Sequence, residues 1–229
     1  MVIMSKRPAI SDADRLRIRD AVEAAEAKTA GEIFSVVAAS SDDYRVIPIL
    51  WATLVALLVP LPLLLVDRLI GWPALTDGWN EASASAGISA VWVYAAQLAV
   101  FIVLAVVLSF SRVRPLIVPR SVKDDRAHSL AVQQFLAHGL HLTEERTGVL
   151  IFVSLAERYA EIVADAAIAR KVDQAVWDEA MAALIAEIRE GRLADGLVAA
   201  VGRVGAVLAE HVPPRRRDAN ELSDDLVLL

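Results

Sequence analysis

Two stretches of this chain hold no charged residue, and each is long enough to cross a bilayer as a helix. Val46 to Val66 and Ile88 to Ser111 contain no Asp, Glu, Lys, Arg or His. At ~1.5 Å of rise per residue, either run reaches across a hydrocarbon core of ~30 Å. A globular domain rarely buries two uncharged helices of this length, so the pattern predicts a transmembrane hairpin of two helices, 46–66 and 88–111, joined by a short extracytoplasmic loop, 67–87. Pro48, Pro60 and Pro62 do not oppose this reading. The first turn of a helix loses no donor to proline, and membrane helices tolerate interior prolines where neighbours satisfy the freed carbonyls. Trp51, Trp72, Trp79, Trp92 and Tyr94 fall near the ends of the two runs, where such rings favour the headgroup layer.

The charges outside the hairpin orient it. Arg45, Arg112, Arg114, Arg120 and Lys123 flank the runs, whereas the loop holds Arg68 against Asp67, Asp77 and Glu81. The positive-inside rule then places both termini in the cytoplasm of a bacterial-type inner membrane, with the lipid bilayer as one partner. No long apolar segment precedes the charged helix that starts near Ser11, so no cleavable signal peptide is expected. A transport path or proton relay usually leaves an ionisable group inside a span, and neither run has one. Across the chain 23 Lys and Arg stand against 29 Asp and Glu, a net charge of −6. That balance excludes the basic footprint of a nucleic-acid binder. The absence of Cys removes disulfides, thiolate metal sites and a Cys nucleophile from consideration.

The remainder reads as one domain in two pieces, 1–45 and 112–212, followed by a polar tail, 213–229. Ser11 is a natural N-cap, and Leu16, Ile18, Val22 and Ala25 form a helical stripe that ends at Thr29-Ala-Gly31. Glu32 to Ala38 is an apolar run suited to a strand buried on both faces. After the second uncharged run, Ala127, Leu130, Ala131 and Phe135 mark a helix. Val149 to Leu155 is the clearest strand, and Ala160 to Asp165 follows closely enough for an antiparallel hairpin. Asp173 to Glu190 and Leu193 to His211 each carry an apolar stripe at helical spacing. The predicted fold is α/β, a small mixed sheet sandwiched by helices and interrupted by the two-helix hairpin.

Several of these segments resemble the TPM domain family. Lys28-Thr-Ala-Gly-Glu-Ile33 is similar to the family's entry into its first strand, and Thr147-Gly-Val-Leu-Ile-Phe-Val153 to its central strand. Glu157-Arg158 resembles the acidic-Arg turn that follows, Ala160 to Asp165 the next strand, and Trp177 with Arg192-Leu-Ala-Asp-Gly196 the closing helical section. The resemblance implies an α/β sandwich and, for some members, acid phosphatase activity or divalent metal binding. The family's Gly-Tyr-Gly turn stands here as Asp165-Ala-Ala167, and its acidic-Asn pair as Arg146-Thr147.

Asp165, Glu157 and Glu145 are the candidate metal ligands. Asp165 at a strand end, joined by a carboxylate of the Glu144-Glu145 turn, offers hard oxygens to Ca²⁺ or Mg²⁺, and a solvated hairpin end accounts for the same charges. Arg126, Arg146 and Arg158 are the candidate anion or partner contacts, because guanidinium forks match carboxylate and phosphate geometry; internal ion pairs are the alternative. His138 and His141 are spaced as two metal ligands can be, but Gly139 between them points to a helix end. Ser154 lacks the Gly-x-Ser-x-Gly elbow of a nucleophile, and no glycine-rich phosphate loop is present. The sequence therefore favours a membrane-side binding or assembly module with a membrane or cytoplasmic protein partner. A membrane-tethered, metal-dependent phosphatase using Asp165, Glu157 and Arg158 is the alternative.

Overall fold

The structure, a computed structural model, describes residues 10–61, 84–110, 113–143, 146–214 and 222–229. The chain forms two compact units, one from Met1–Asp42 with Ser121–Leu229 and the other from Asp43–Arg120.

The first unit is built on a mixed sheet of four strands. β1 (Ile33–Ala38), β2 (Val149–Ser154), β3 (Tyr159–Ala164) and β4 (Val227–Leu228) lie in the order β3-β2-β1-β4. β1 runs parallel to β2 and to β4, and β3 is antiparallel to β2. Every residue of β1 and β2 is buried, as their mainly apolar character favours, with Ser35 and Ser154 as the buried polar exceptions. Side chains alternate across the pleat, so Ile33 and Val37 enter one core while Phe34 and Val36 enter the other.

Helices cover both faces. On one side α1 (Asp12–Glu26), α7 (Gln174–Arg189) and α8 (Leu193–His211) bring Ile18, Val22, Trp177, Leu184, Val201 and Leu208 onto the sheet. Ser11 caps α1 through its hydroxyl, which accepts from the Asp14 N–H at 3.1 Å. α1 and α8 approach closely at Gly205, where an added Cβ would lie 2.5 Å from the Cβ of Ala25. The Thr29 hydroxyl donates to the carbonyl of Val212 at 2.6 Å, tying the end of α8 to the entry of β1. On the other side α5 (Arg120–Ala137) packs Ala127, Ala131 and Phe135 against Phe34, Val36, Leu150 and Phe152. The four-residue α6 (Ala166–Ala169) follows β3. β4 is an addition that the hydrophobic pattern did not announce. The stretch read as a polar tail returns to the sheet and buries Leu226.

The second unit holds α2 (Val46–Leu58), α3 (Ala84–Ser109) and α4 (Arg114–Ile117). α2 buries Pro48, Ala52 and Ala56, a stripe at helical spacing. The indole N–H of Trp51 donates to the Ile117 carbonyl at 3.2 Å, and the Arg114 guanidinium donates to the carbonyls of Asp43 and Ser109 at 2.8 and 2.7 Å.

This unit corrects the membrane topology read from the sequence. Among the described residues no helix is long and apolar enough to cross a membrane. The two spans, 46–66 and 88–111, and the inner-membrane location that rested on them are therefore overturned. α2 has 13 residues, a length of ~20 Å, well short of a bilayer core of ~30 Å. Pro60 follows its last turn closely. α3 has 26 residues, and among its described residues no membrane span is found either. Freedom from charge describes what a segment lacks; it does not set the length of its helix. Most of the loop assigned to 67–87, with Trp72 and Trp79, lies outside the described residues.

Candidate binding site at the carboxyl end of the sheet

Parallel strands deliver their following loops to one end of a sheet, where ligand crevices of such sheets lie. β1 and β2 end side by side, Ala38 opposite Ser154. The pairing continues past the strands, because the N–H groups of Leu155 and Ala156 donate to the carbonyls of Ala38 and Ala39 at 3.0 and 3.1 Å. Ser40, Ser41 and Asp42 are thereby held beside the turn Leu155–Arg158.

Glu157 is the centre of this end. Its side chain is 2% exposed, and it collects donors from both loops. The Ser40 hydroxyl donates to Oε1 at 3.0 Å, and the Ser41 N–H donates to Oε2 at 3.1 Å. The hydroxyl of fully buried Ser154 also donates to Oε2, and itself accepts from the Ser41 hydroxyl at 2.8 Å. Asp42 continues the network outward: its carbonyl, 2.9 Å from the Ser40 hydroxyl, shares that hydroxyl's single proton with Glu157, and its carboxylate pairs with the Arg126 Nε at 3.2 Å. Arg158 sits in the turn at φ +53°, a left-handed conformation that costs a non-glycine residue ~1 kcal/mol or more and persists where its surroundings fix it. The bonds to its neighbour Glu157 supply that constraint, and the Arg158 side chain is left exposed.

A second group lies between α5 and β3. Nδ1 of His128 is 3.0 Å from both oxygens of Glu161, and the Tyr159 hydroxyl donates to Oε2 of the same carboxylate at 2.9 Å. Burial first, and then the bond to Glu161, push the Tyr159 phenol well above its ordinary range.

The residues singled out in the sequence divide between the two ends of the sheet. Glu157, Arg158 and Arg126 come together at the carboxyl end. Asp165 lies at the other end, where its N–H donates to the Gly148 carbonyl at 3.0 Å just before β2 begins. Arg146, at φ +57°, belongs to that same amino end. The six residues of β3, ~20 Å of strand, separate Glu157 from Asp165, so the two carboxylates do not share an ion. Glu145 lies outside the described residues. Among the described residues no group of three or more His, Asp or Glu side chains is placed to hold a metal ion. Around Glu157 the chemistry is also of the wrong sign for a cation, since hydroxyl and amide protons already point at its oxygens.

Sequence reasoning missed Ser40, Ser41 and Asp42. Their only signal was a cluster of short polar residues directly after an apolar strand. Ser154 was read as a packed strand residue and is one, yet it also carries a buried hydrogen bond. His128 had no partner in the sequence; Glu161, 33 positions away, supplies it. His138 lies against Phe34, with ring centroids 4.3 Å apart, and Gly139 at φ +74° ends α5 as a left-handed cap.

Fold and site together define an α/β domain with a mixed four-stranded sheet and a polar cluster at the carboxyl end of its parallel strands. The sequence model of the TPM domain matches residues 110–207, and the chain carries a TPM domain. A solved structure similar to it is the NMR structure of the BA42 protein from the psychrophilic bacterium Bizionia argentinensis, with a TM-score of 0.56 and 16% identity over 96% of this chain and 94% of that one. At that identity the likeness is one of fold. No curated protein matched the sequence.

Proposed function

We propose that this TPM domain is a binding module that holds an anionic group of a protein partner at the carboxyl end of its sheet. One observation carries the reading: Glu157 accepts from two serine hydroxyls and a backbone N–H. Its oxygens are engaged in fixing two loops and are not presented as base, nucleophile or metal ligand. Two arginines lie at this end, Arg158 on the turn and Arg126 on α5. Arg126 is 61% exposed beyond its pair with Asp42, and Arg158 extends from the same turn as Glu157. Guanidinium groups held in this way suit a carboxylate or phosphate, and exchange of Asp42 for a partner's anion would free Arg126 to bind it.

A single titration tests this. A phosphomonoester is added to the ¹⁵N-labelled chain with Mg²⁺ or Ca²⁺ present, while amide shifts and free phosphate are followed together. The expected result is shifts at residues 40–42, 126 and 155–158 without turnover. Metal-dependent hydrolysis that disappears in Glu157→Gln would overturn the reading, as would shifts confined to other parts of the chain.

A further inference from the structure

The second unit leaves much of its apolar surface uncovered. α2 and α3 carry no charged residue along their length. α2 packs on α3, and its buried residues, Pro48, Ala52 and Ala56, form a single stripe. At 3.6 residues per turn, Leu50, Leu54 and Leu57 lie on the opposite side of the same helix. Together with Leu61, just beyond the end of α2, they are 48–62% exposed. Their alternating spacing of four and three residues is that of a coiled-coil seam, in which each side chain enters a hole on a facing helix. On α3, Leu98, Ile102 and Val106 are left exposed in the same way.

The extent of this surface exceeds what monomeric proteins usually leave to water. A half-exposed leucine or valine keeps on the order of 50 Å² of apolar area in contact with solvent. Over the large apolar side chains of α2 and α3 that amounts to on the order of 800 Å². The largest patch on a typical monomer is ~300–600 Å², and a standard interface takes ~800 Å² from each partner.

Its chemistry selects what covers it. Among the described residues no helix is long and apolar enough to cross a membrane, and a helix that lies in a bilayer surface needs a charged face, which neither α2 nor α3 has. A partner face that carries charge would have to bury it here unpaired. A second copy brings an uncharged surface of the same length and the same leucine spacing, and two-fold pairing sets the surface against its equal. Charge starts where α2 starts, with Arg45 paired to Asp43 at 2.7 Å, and so falls at the rim, as in protein interfaces generally.

We propose that the chain pairs with a second copy of itself through the free face of α2 and α3, with Leu50, Leu54 and Leu57 at the centre of a bundle of four helices.

Sedimentation equilibrium of the full chain in detergent-free buffer, with flotation against neutral phosphatidylcholine vesicles beside it, tests this. The expected mass is twice 24.7 kDa, with no association beyond the dimer and no chain on the vesicles. Leu54→Glu places a carboxylate on the exposed side of α2, away from the stripe that packs on α3, and two-fold symmetry brings it into the interface twice. The dissociation constant is expected to rise about a hundredfold or more. Leu50→Ala with Leu57→Ala removes the seam without adding charge and favours the helix, so it separates lost pairing from lost folding; a rise of about tenfold or more is expected. Leu136→Glu makes the same change at an exposed leucine of α5, in the first unit, and is expected to leave the dimer intact. A wild-type mass of 24.7 kDa, an open series of larger species, or flotation with the vesicles overturns the proposal. So does a dimer that neither α2 variant weakens, or one that Leu136→Glu weakens equally.

Discussion

Each end of β1 is served by a glutamate withdrawn from water, and the two are handled in opposite ways. At the carboxyl end, Glu157 is surrounded by donors: two hydroxyls and a backbone N–H from loops that sequence places far apart. At the amino end, half-buried Glu26 receives the Ile33 N–H, and burial first, then Glu32 and Asp224, push it up to about 8. A carboxyl group set among donors works as a tie between loops, whereas one raised by burial and acidic neighbours contributes most while it keeps its proton. Glu157 is the more deeply buried of the two, and the donors it collects are what distinguish it.

Removing the tie is expected to have the largest effect. Glu157→Leu strands the Ser154 hydroxyl and the Ser41 N–H and leaves the Ser40 hydroxyl to the Asp42 carbonyl, and should lower stability to urea by ~3 kcal/mol. Glu157→Gln keeps one acceptor oxygen and should cost about half as much. A loss below ~1 kcal/mol for the leucine variant would show that water replaces Glu157 freely and that the contrast between the ends is unfounded. Ser154→Ala leaves the Ser41 hydroxyl without its acceptor and is expected to cost ~1–2 kcal/mol in the same measurement.

Glu26 predicts a smaller effect with a definite sign. Because Glu26 is raised above its ordinary value of 4.5, its contribution to stability is fully present below that value and is lost as the pH rises through about 8. Wild type should therefore lose ~1 kcal/mol relative to Glu26→Gln between pH 6 and pH 8, read from urea midpoints at each pH. A difference that grows towards acid would invert the assignment. The smallest effect belongs to the rim of the donor-rich end. Arg126→Ala breaks an exposed ion pair with Asp42 and should change stability by less than ~0.5 kcal/mol, while weakening phosphomonoester binding if the carboxyl end is the recognition face.

How much of this was legible in the sequence varied with the range of the interactions. β1, β2 and β3 could be read because their apolar runs are local signals, and the four residues Ala156–Tyr159 between two such runs announced the hairpin, whose turn in the structure is Leu155–Arg158. α8 was read with its observed ends, Leu193 and His211. β4 was not, since a two-residue strand behind Pro213-Pro214-Arg-Arg-Arg217 has no periodicity of its own and exists only because β1 offers an edge. The membrane spans failed for a related reason. Freedom from charge does not fix the length of a helix, and α2 stops at Leu58. In the site, Glu157 and Asp165 drew notice together because they are close in sequence, yet a hairpin strand sets its two ends as far apart as its length allows. Ser40 and Ser41 drew none, because their meaning comes from Glu157, more than a hundred positions away.

That separation also has a cost in time. Thr147, just ahead of β2, bonds to the Ala30 carbonyl just ahead of β1 across 117 positions of sequence, and the second unit is spliced into the interval. At a synthesis rate of ~5–20 residues per second, β1 is exposed on the ribosome for on the order of ten seconds before its parallel neighbour exists. Through that interval the most apolar strand of the first piece has both edges open, so the length of the insertion sets how long a nascent chain stays vulnerable to pairing with the wrong partner.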